Sequence, residues 1–257
     1  MKPKKVIILM FSIILTSFAA LATNVFAWLR PLERIYLDNA QGTTDNTAYY
    51  AGGKGTSAEP YIINSPIHLY NLAWLQYLGN YPTKTYFVVE ADLDMEGYVL
   101  PPIGTGKYPF VSSFDGGEHI IANLQVSNAI GENEGQIKKY PVGVTSSNFA
   151  DCEIVGFFGQ VGDKNTSYTT SSVAPEVKNF YLDQTTINTE TSSTLAGIGV
   201  GYVNGEVSGV GISNSEIKFN NSSASRLDAN ITNNLSDYTL VGYCQDKYKN
   251  TTTITDI

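Results

Sequence analysis

Asp115, Glu118 and His119 stand close enough in this 257-residue chain to suggest an acid/base group. Their setting, Phe114-Asp-Gly-Gly-Glu-His119, argues for a turn instead. Aspartate bonds the backbone two residues on, glycine accepts φ > 0, and His119 then opens a strand. Asp92-Leu-Asp-Met-Glu-Gly97 begins like a calcium loop. That loop needs a bidentate glutamate at its twelfth position, which here is Ile103. Leu93 and Met95 alternate with the acids, as in a strand whose carboxylates point outward. His68 has no second histidine or cysteine nearby, so a surface or partly packed role is expected. Gly52-Gly-Lys-Gly-Thr56 lacks phosphate-loop spacing and neither follows a buried strand nor opens a helix. No catalytic, cofactor-binding or metal-binding residue is assigned.

Composition narrows the classes further. The chain is 42% hydrophobic and 16% charged, with a net charge of −8. The acidic balance offers no electrostatic footprint for nucleic acid. Arginine occurs only as Arg30, Arg34 and Arg226, which weakens any mechanism that clamps phosphate or uronate groups. Abundant Ser, Thr, Asn, Gly and Tyr suit an extracellular β-rich protein.

Met1-Lys-Pro-Lys-Lys5, the apolar run Val6 to Ala22 and a cut after Ala27 have the layout of a secretory signal peptide over residues 1–27. The alternative is an uncleaved anchor, which would be the chain's one link to a membrane. Removing residues 1–27 leaves 13 basic and 24 acidic residues, a net −11. Cys152 and Cys244 form neither a disulfide framework nor a zinc site. A single disulfide stays open. Against it, Cys152 precedes its Val155-Gly156 pair while Cys244 follows Val241-Gly242.

Residues 28–54 read as a linker or lead-in with glycine breakers. A helix is expected over 64–79, capped by Ser65 with Pro66 in its first turn and stopped at Gly79. Leu69, Leu72, Ala73 and Gln76 form its stripe, flanked by Trp74, Leu75 and Leu78. From Tyr86 the pattern is β and it repeats. Ile121–Asn128, Val177–Gln184 and Val207–Asn214 align, and the last two copies reach Ile187 and Ile217. Val155–Val161 aligns with Gly197–Val203, and a further unit begins at Leu240. Short strands recurring with turns signal a solenoid, here a parallel β-helix, with an antiparallel sandwich as the alternative. The helix should cover the N-terminal end of that solenoid, burying Leu69, Leu72 and Leu75 or Leu78.

An ordered series of elements carries a family resemblance. These are Gly55-Thr-Ser-Ala-Glu-Pro-Tyr61, Leu69-Tyr-Asn-Leu-Ala73, Asp92-Leu-Asp-Met95, Pro102-Ile-Gly104, Phe114-Asp-Gly-Gly-Glu-His119 and Asn123-Leu124. Over roughly 55–217 the chain resembles bacterial GLUG-repeat surface proteins. The resemblance implies an all-β domain over 55–257, a right-handed parallel β-helix with an N-terminal capping helix. It implies a secreted or cell-surface module without assigned catalysis, akin to adhesins and to the flanking regions of secreted immunoglobulin-A proteases. Gly117-Glu118 departs from the family's Asn-Gly, which alters that turn. Residues 129–153 and 163–176 read as insertions. Thr251–Ile257 reads as an uncapped strand, so the domain is expected to be incomplete at its C-terminus.

The functional expectation is an adhesion or interaction module that binds an unknown glycan or protein outside the cell, with no cofactor. Exposed tyrosines such as Tyr181 and Tyr202 would serve neutral glycans. The alternative is a polysaccharide hydrolase or lyase. Hydrolysis needs carboxylates at a set separation. Lysis of uronates needs a base and cationic neutralisation, which the arginine-poor repeats do not offer.

Overall fold

The computed structural model describes residues 49–127, 153–168, 174–189, 195–219 and 241–244, all within the compact unit that spans 36–257. The leader, most of the lead-in, Cys152 and Thr251–Ile257 lie outside the described residues.

The described chain is mostly β with one helix. It opens with β1 (Tyr61–Ile63) and α1 (Pro66–Tyr77). Next come β2 (Tyr86–Val89), β3 (Leu93–Asp94) and β4 (Val99–Leu100). They are followed by β5 (Ser113–Ala122), β6 (Gln125–Ser127), β7 (Ile154–Val155) and β8 (Phe158–Val161). The next group is β9 (Glu176–Asp183), β10 (Thr186–Thr189), β11 (Leu195–Ala196) and β12 (Val200–Val203). The last is β13 (Glu206–Ser213), β14 (Glu216–Phe219) and β15 (Val241–Cys244).

These strands make parallel sheets that the chain revisits in a fixed sequence. One sheet runs β1-β2-β5-β9-β13 with β3 also on β5, and a second runs β14-β10-β6-β4. A third runs β15-β12-β8, beside the pair β11-β7. Every pairing among the described strands is parallel, which excludes the antiparallel sandwich for them.

Register stacks like on like. Tyr61, Phe87, Phe114, Val177 and Val207 form one buried column, and Leu100, Val126 and Ile187 form another with the partly buried Ile217. β2 and β10 alternate buried and more exposed positions, as β9 does apart from its bend, so one face feeds the core and the other is more exposed, whereas β8 is buried throughout. At the centre Phe114, Phe157, Phe158 and Phe180 meet in all six pairings with ring centroids 4.7–6.0 Å apart. Such contacts contribute ~0.5–1.5 kcal/mol each beyond burial.

Two bends recur. Between the first and second sheets Asn123, Gln184 and Asn214 take φ of 56°, 51° and 48°. Within the first sheet Asn179 (φ 54°) lies opposite Gly209 (φ 61°), and Gly117 and Glu118 (φ 60° and 63°) fall where β5 shifts register against β9. Asparagine and glycine fit because both tolerate the left-handed region. The altered Gly-Glu turn is thus a bulge in which two successive residues take positive φ.

The repeat alignment changes first. Ile121 pairs with Leu182, while Phe114 faces Val177, so the first repeat copy is out of register with the other two. The same short apolar pattern with a left-handed asparagine occurs at both kinds of bend, and local sequence does not separate them. Val177–Val207 and Ile187–Ile217 pair as aligned, and Val241 pairs with Val200.

α1 has no single stripe either. Every residue from Leu69 to Tyr77 is buried, as is Ile67, while Leu78 is exposed. It packs against β1 and β4, each an edge strand of its sheet, so both of its sides meet protein. Pro66 is in the first turn, but Ser65 makes no side-chain cap; its hydroxyl meets His68 Nδ1 at 3.1 Å.

Packing also begins ahead of Gly55. Tyr49 and Tyr50 are buried, and Ala51 N–H donates to the Ile62 carbonyl at 2.9 Å.

Candidate functional site

The acids singled out above hold neighbouring strands together. Asp92 Oδ1 accepts the Ile120 N–H at 3.0 Å and meets His119 Nδ1 at 3.1 Å. Asp94 Oδ1 accepts Asn123 Nδ2 at 2.9 Å and the Glu96 N–H at 3.1 Å. Two strands on, Asp183 Oδ1 accepts the Ser213 hydroxyl at 2.7 Å and Asn214 Nδ2 at 2.9 Å. The bend asparagines therefore donate to an aspartate of the preceding strand.

These bonds favour the ionised form, so all three carboxyls are held below the usual carboxylate range. The Ile120 amide and then His119 do this for Asp92, and the Asn123 side chain and then the Glu96 amide for Asp94. For Asp183 the Ser213 hydroxyl leads, followed by Asn214 and Gln184.

Asp115 and His119 bond different partners. Asp115 Oδ1 accepts the Gly117 N–H at 3.0 Å and Asn179 Nδ2 at 3.1 Å, with Lys178 Nζ 3.9 Å from its other oxygen. Glu118 is exposed at the bulge, and His119 is drawn to Asp92. The Asp92–His119 contact was missed at the sequence level. It follows from Leu93 pairing with Ile121, a register that the misaligned first repeat copy hid.

Gly52–Thr56 is a closed turn before β1, with Lys54 and Thr56 amides donating to the Glu59 carbonyl and Lys54 Nζ 2.7 Å from Glu59. Tyr181 and Tyr202 are half-buried and sit on different sheets, so they are not brought together. Among the described residues no group of three or more His, Cys, Asp or Glu is placed to hold a metal.

A cleft of about 340 Å³ opens beside the C-terminal end of α1. Gly79 ends the helix at φ 81°, with the Gly79 and Asn80 amides donating to the Gln76 and Leu75 carbonyls, a Schellman arrangement. A Cβ on Gly79 would lie 2.7 Å from the Tyr108 ring, so the glycine also admits that tyrosine. Gln76 Nε2 donates to the Tyr108 and Pro109 carbonyls at 3.0 and 3.2 Å and fixes the loop. Lys107 Nζ lies 5.1 Å from the Tyr108 ring centroid.

Another part of the cleft's lining is the segment 163–168. Asp163 accepts the Asn165 N–H on Oδ1 at 2.9 Å and the Thr166 hydroxyl on Oδ2 at 3.1 Å. Its own N–H donates to the Tyr168 hydroxyl at 3.0 Å. Asn204, fully buried, anchors the segment through the Asp163 and Thr166 carbonyls. Desolvation raises the Tyr168 pKa, so the phenol stays neutral at ordinary pH. The sequence reading passed over this cleft because its walls come from three separated stretches. One of them, 163–168, was read only as part of an insertion.

No family model matches the chain, and no curated protein does. One solved structure, described as a "putative immunoglobulin A1 protease from Bacteroides ovatus", matches with 14% identity over 77% of this chain and 87% of that one. Its TM-score of 0.29 is too low to carry an argument. Among the described residues no helix is long and apolar enough to cross a membrane.

Proposed function

We propose that the chain is an exported or surface-attached interaction module of the GLUG-repeat kind. In this reading its sheets are the walls of a right-handed parallel β-helix, α1 covers one end, and the ligand is a glycan or a protein. All-parallel pairing, the recurring sheet sequence and stacked left-handed corners support the β-helix reading. The basic and apolar leader over 1–27 supports export.

The observation that carries the functional reading is the use of the outer carboxylates. Asp92, Asp94, Asp115 and Asp183 each bond groups on a neighbouring strand, which gives them structural work. A hydrolase needs such groups turned toward a substrate at a set separation.

The test runs a glycan array and a pull-down on the full chain beside a reducing-sugar and unsaturated-product screen. Binding without product is expected, and His119→Gln should leave it intact. Product formation that His119→Gln abolishes at an unchanged Tm would replace this reading with a carbohydrate-active enzyme.

A further inference from the structure

The cleft beside α1 differs from the rest of the surface in its chemistry. Its flat walls are Pro82, Tyr108 and Tyr168, and among the described residues its charged groups are Lys107 and Asp163. Gln76 also lines it, and the buried Gln76 Oε1 has no hydrogen-bond partner among the described residues. A buried amide oxygen left without a donor is costly, and a hydroxyl brought into the cleft is one way to relieve it.

We propose that this cleft binds the end of a neutral saccharide, one or two pyranose units long. The inference deepens the interaction-module reading and rests on it. Alternating apolar walls and hydrogen-bonding groups suit a pyranose, which has apolar CH faces and a rim of hydroxyls. Each Asp163 oxygen accepts one bond from its own segment and has a lone pair left for a further donor, so the carboxylate can take two hydroxyls side by side. Lys107 supplies donors to the same ligand.

Charge selects against the alternatives. Lys107 and Asp163 offset one another, and the chain as a whole carries −8, so a polyanion finds no attraction. A purely apolar ligand would desolvate both charges without pairing them. The volume of about 340 Å³ is at the small end of the ~300–1,000 Å³ usual for ligand sites, which limits the occupant to a chain end.

The experiment is ligand-observed NMR titration of the full chain. The probes are methyl glycosides of glucose, galactose, mannose and N-acetylglucosamine, cellobiose, and galacturonic acid as the anionic control. Lys107→Met and Asp163→Asn serve as variants. Neither side chain is buried, and the amide that replaces the Asp163 carboxylate keeps an oxygen to turn the loop. The expected result is saturation transfer to at least one neutral probe and about tenfold weaker binding in each variant, as for a lost charge-assisted hydrogen bond, at an unchanged Tm. A neutral probe bound equally well by both variants overturns the cleft assignment and leaves the module reading standing. No transfer from any neutral probe, or preference for galacturonic acid, also overturns it. The module reading itself fails separately, through product formation in the enzyme screen.

Discussion

Around β1, which packs against α1, Tyr50, Tyr61, Tyr81 and Phe87 pack ring on ring at centroid distances of 4.7–5.7 Å. The same column two strands further on is Val177 and then Val207. Among the described strands β1 is an edge of its sheet, and there large rings and the buried residues of α1 fill the space beside it. Where β13 lies on β9 in register, the valines Val177 and Val207 suffice in this column, because each layer repeats the shape beneath it. Tyr50 and Tyr81 also hydrogen bond through their hydroxyls at 2.6 Å, and burial pushes both phenols well above their usual pKa.

The comparison breaks most visibly at α1. Leu72 is fully buried in a helix that packs against both β1 and β4. Leu72→Asp should cost more than the ~2–5 kcal/mol of a core truncation, since it also buries a charge. Loss of a cooperative thermal transition is expected. An unchanged Tm would mean that the helix does not hold this edge of the sheet.

Next in size is the contrast between ring and aliphatic layers. Phe180→Ala removes a ring in contact with Phe114, Phe157 and Phe158 and should cost ~3–5 kcal/mol by urea denaturation. Val207→Ala removes two buried carbons and should cost about 2 kcal/mol. Equal costs would show that ring layers and aliphatic layers do not differ in how they fill the interior.

The bends separate the regions again. Asn214 takes φ 48° and donates to Asp183, so Asn214→Ala should cost about 1 kcal/mol, the order of a left-handed alanine. Asn214→Gly should recover most of that loss, because glycine carries no backbone penalty there. Failure of glycine to recover it would place the effect in the lost hydrogen bond.

The smallest effect is the pH response of the outer corners. Asp92, Asp94 and Asp183 have folded pKa values below their unfolded ones. Their stabilisation is therefore complete above the unfolded carboxylate value of ~3.9 and fades as pH falls through the depressed folded values. Tm should decline over that acidic window, and the triple change of these residues to asparagine should flatten the decline. An equally steep decline in the triple variant would assign it to other carboxylates.

Much of this was readable beforehand. Pro66 and Gly79 bracketed the helix, and the pairs Val177–Val207 and Ile187–Ile217 came directly from repetition. The all-round burial of α1 was not readable, because an amphipathic pattern describes contact on one side and this helix has contact on two. The partner of His119 was not readable either. A histidine beside two acids in sequence suggests local chemistry, whereas parallel stacking carried it to an aspartate on the preceding strand.

The sequence by itself determined the β character, the position of the helix and the residues that tolerate left-handed bends. These depend on side-chain shape and backbone freedom, which act within a few residues. Only the tertiary structure decided which bend each asparagine occupies, where Asp92 and His119 meet, and that Gln76, Tyr108 and Asp163 line one cleft. Register between parallel strands is set by how buried columns pack across separations of tens of residues, and no local pattern encodes a one-bend slip against that packing.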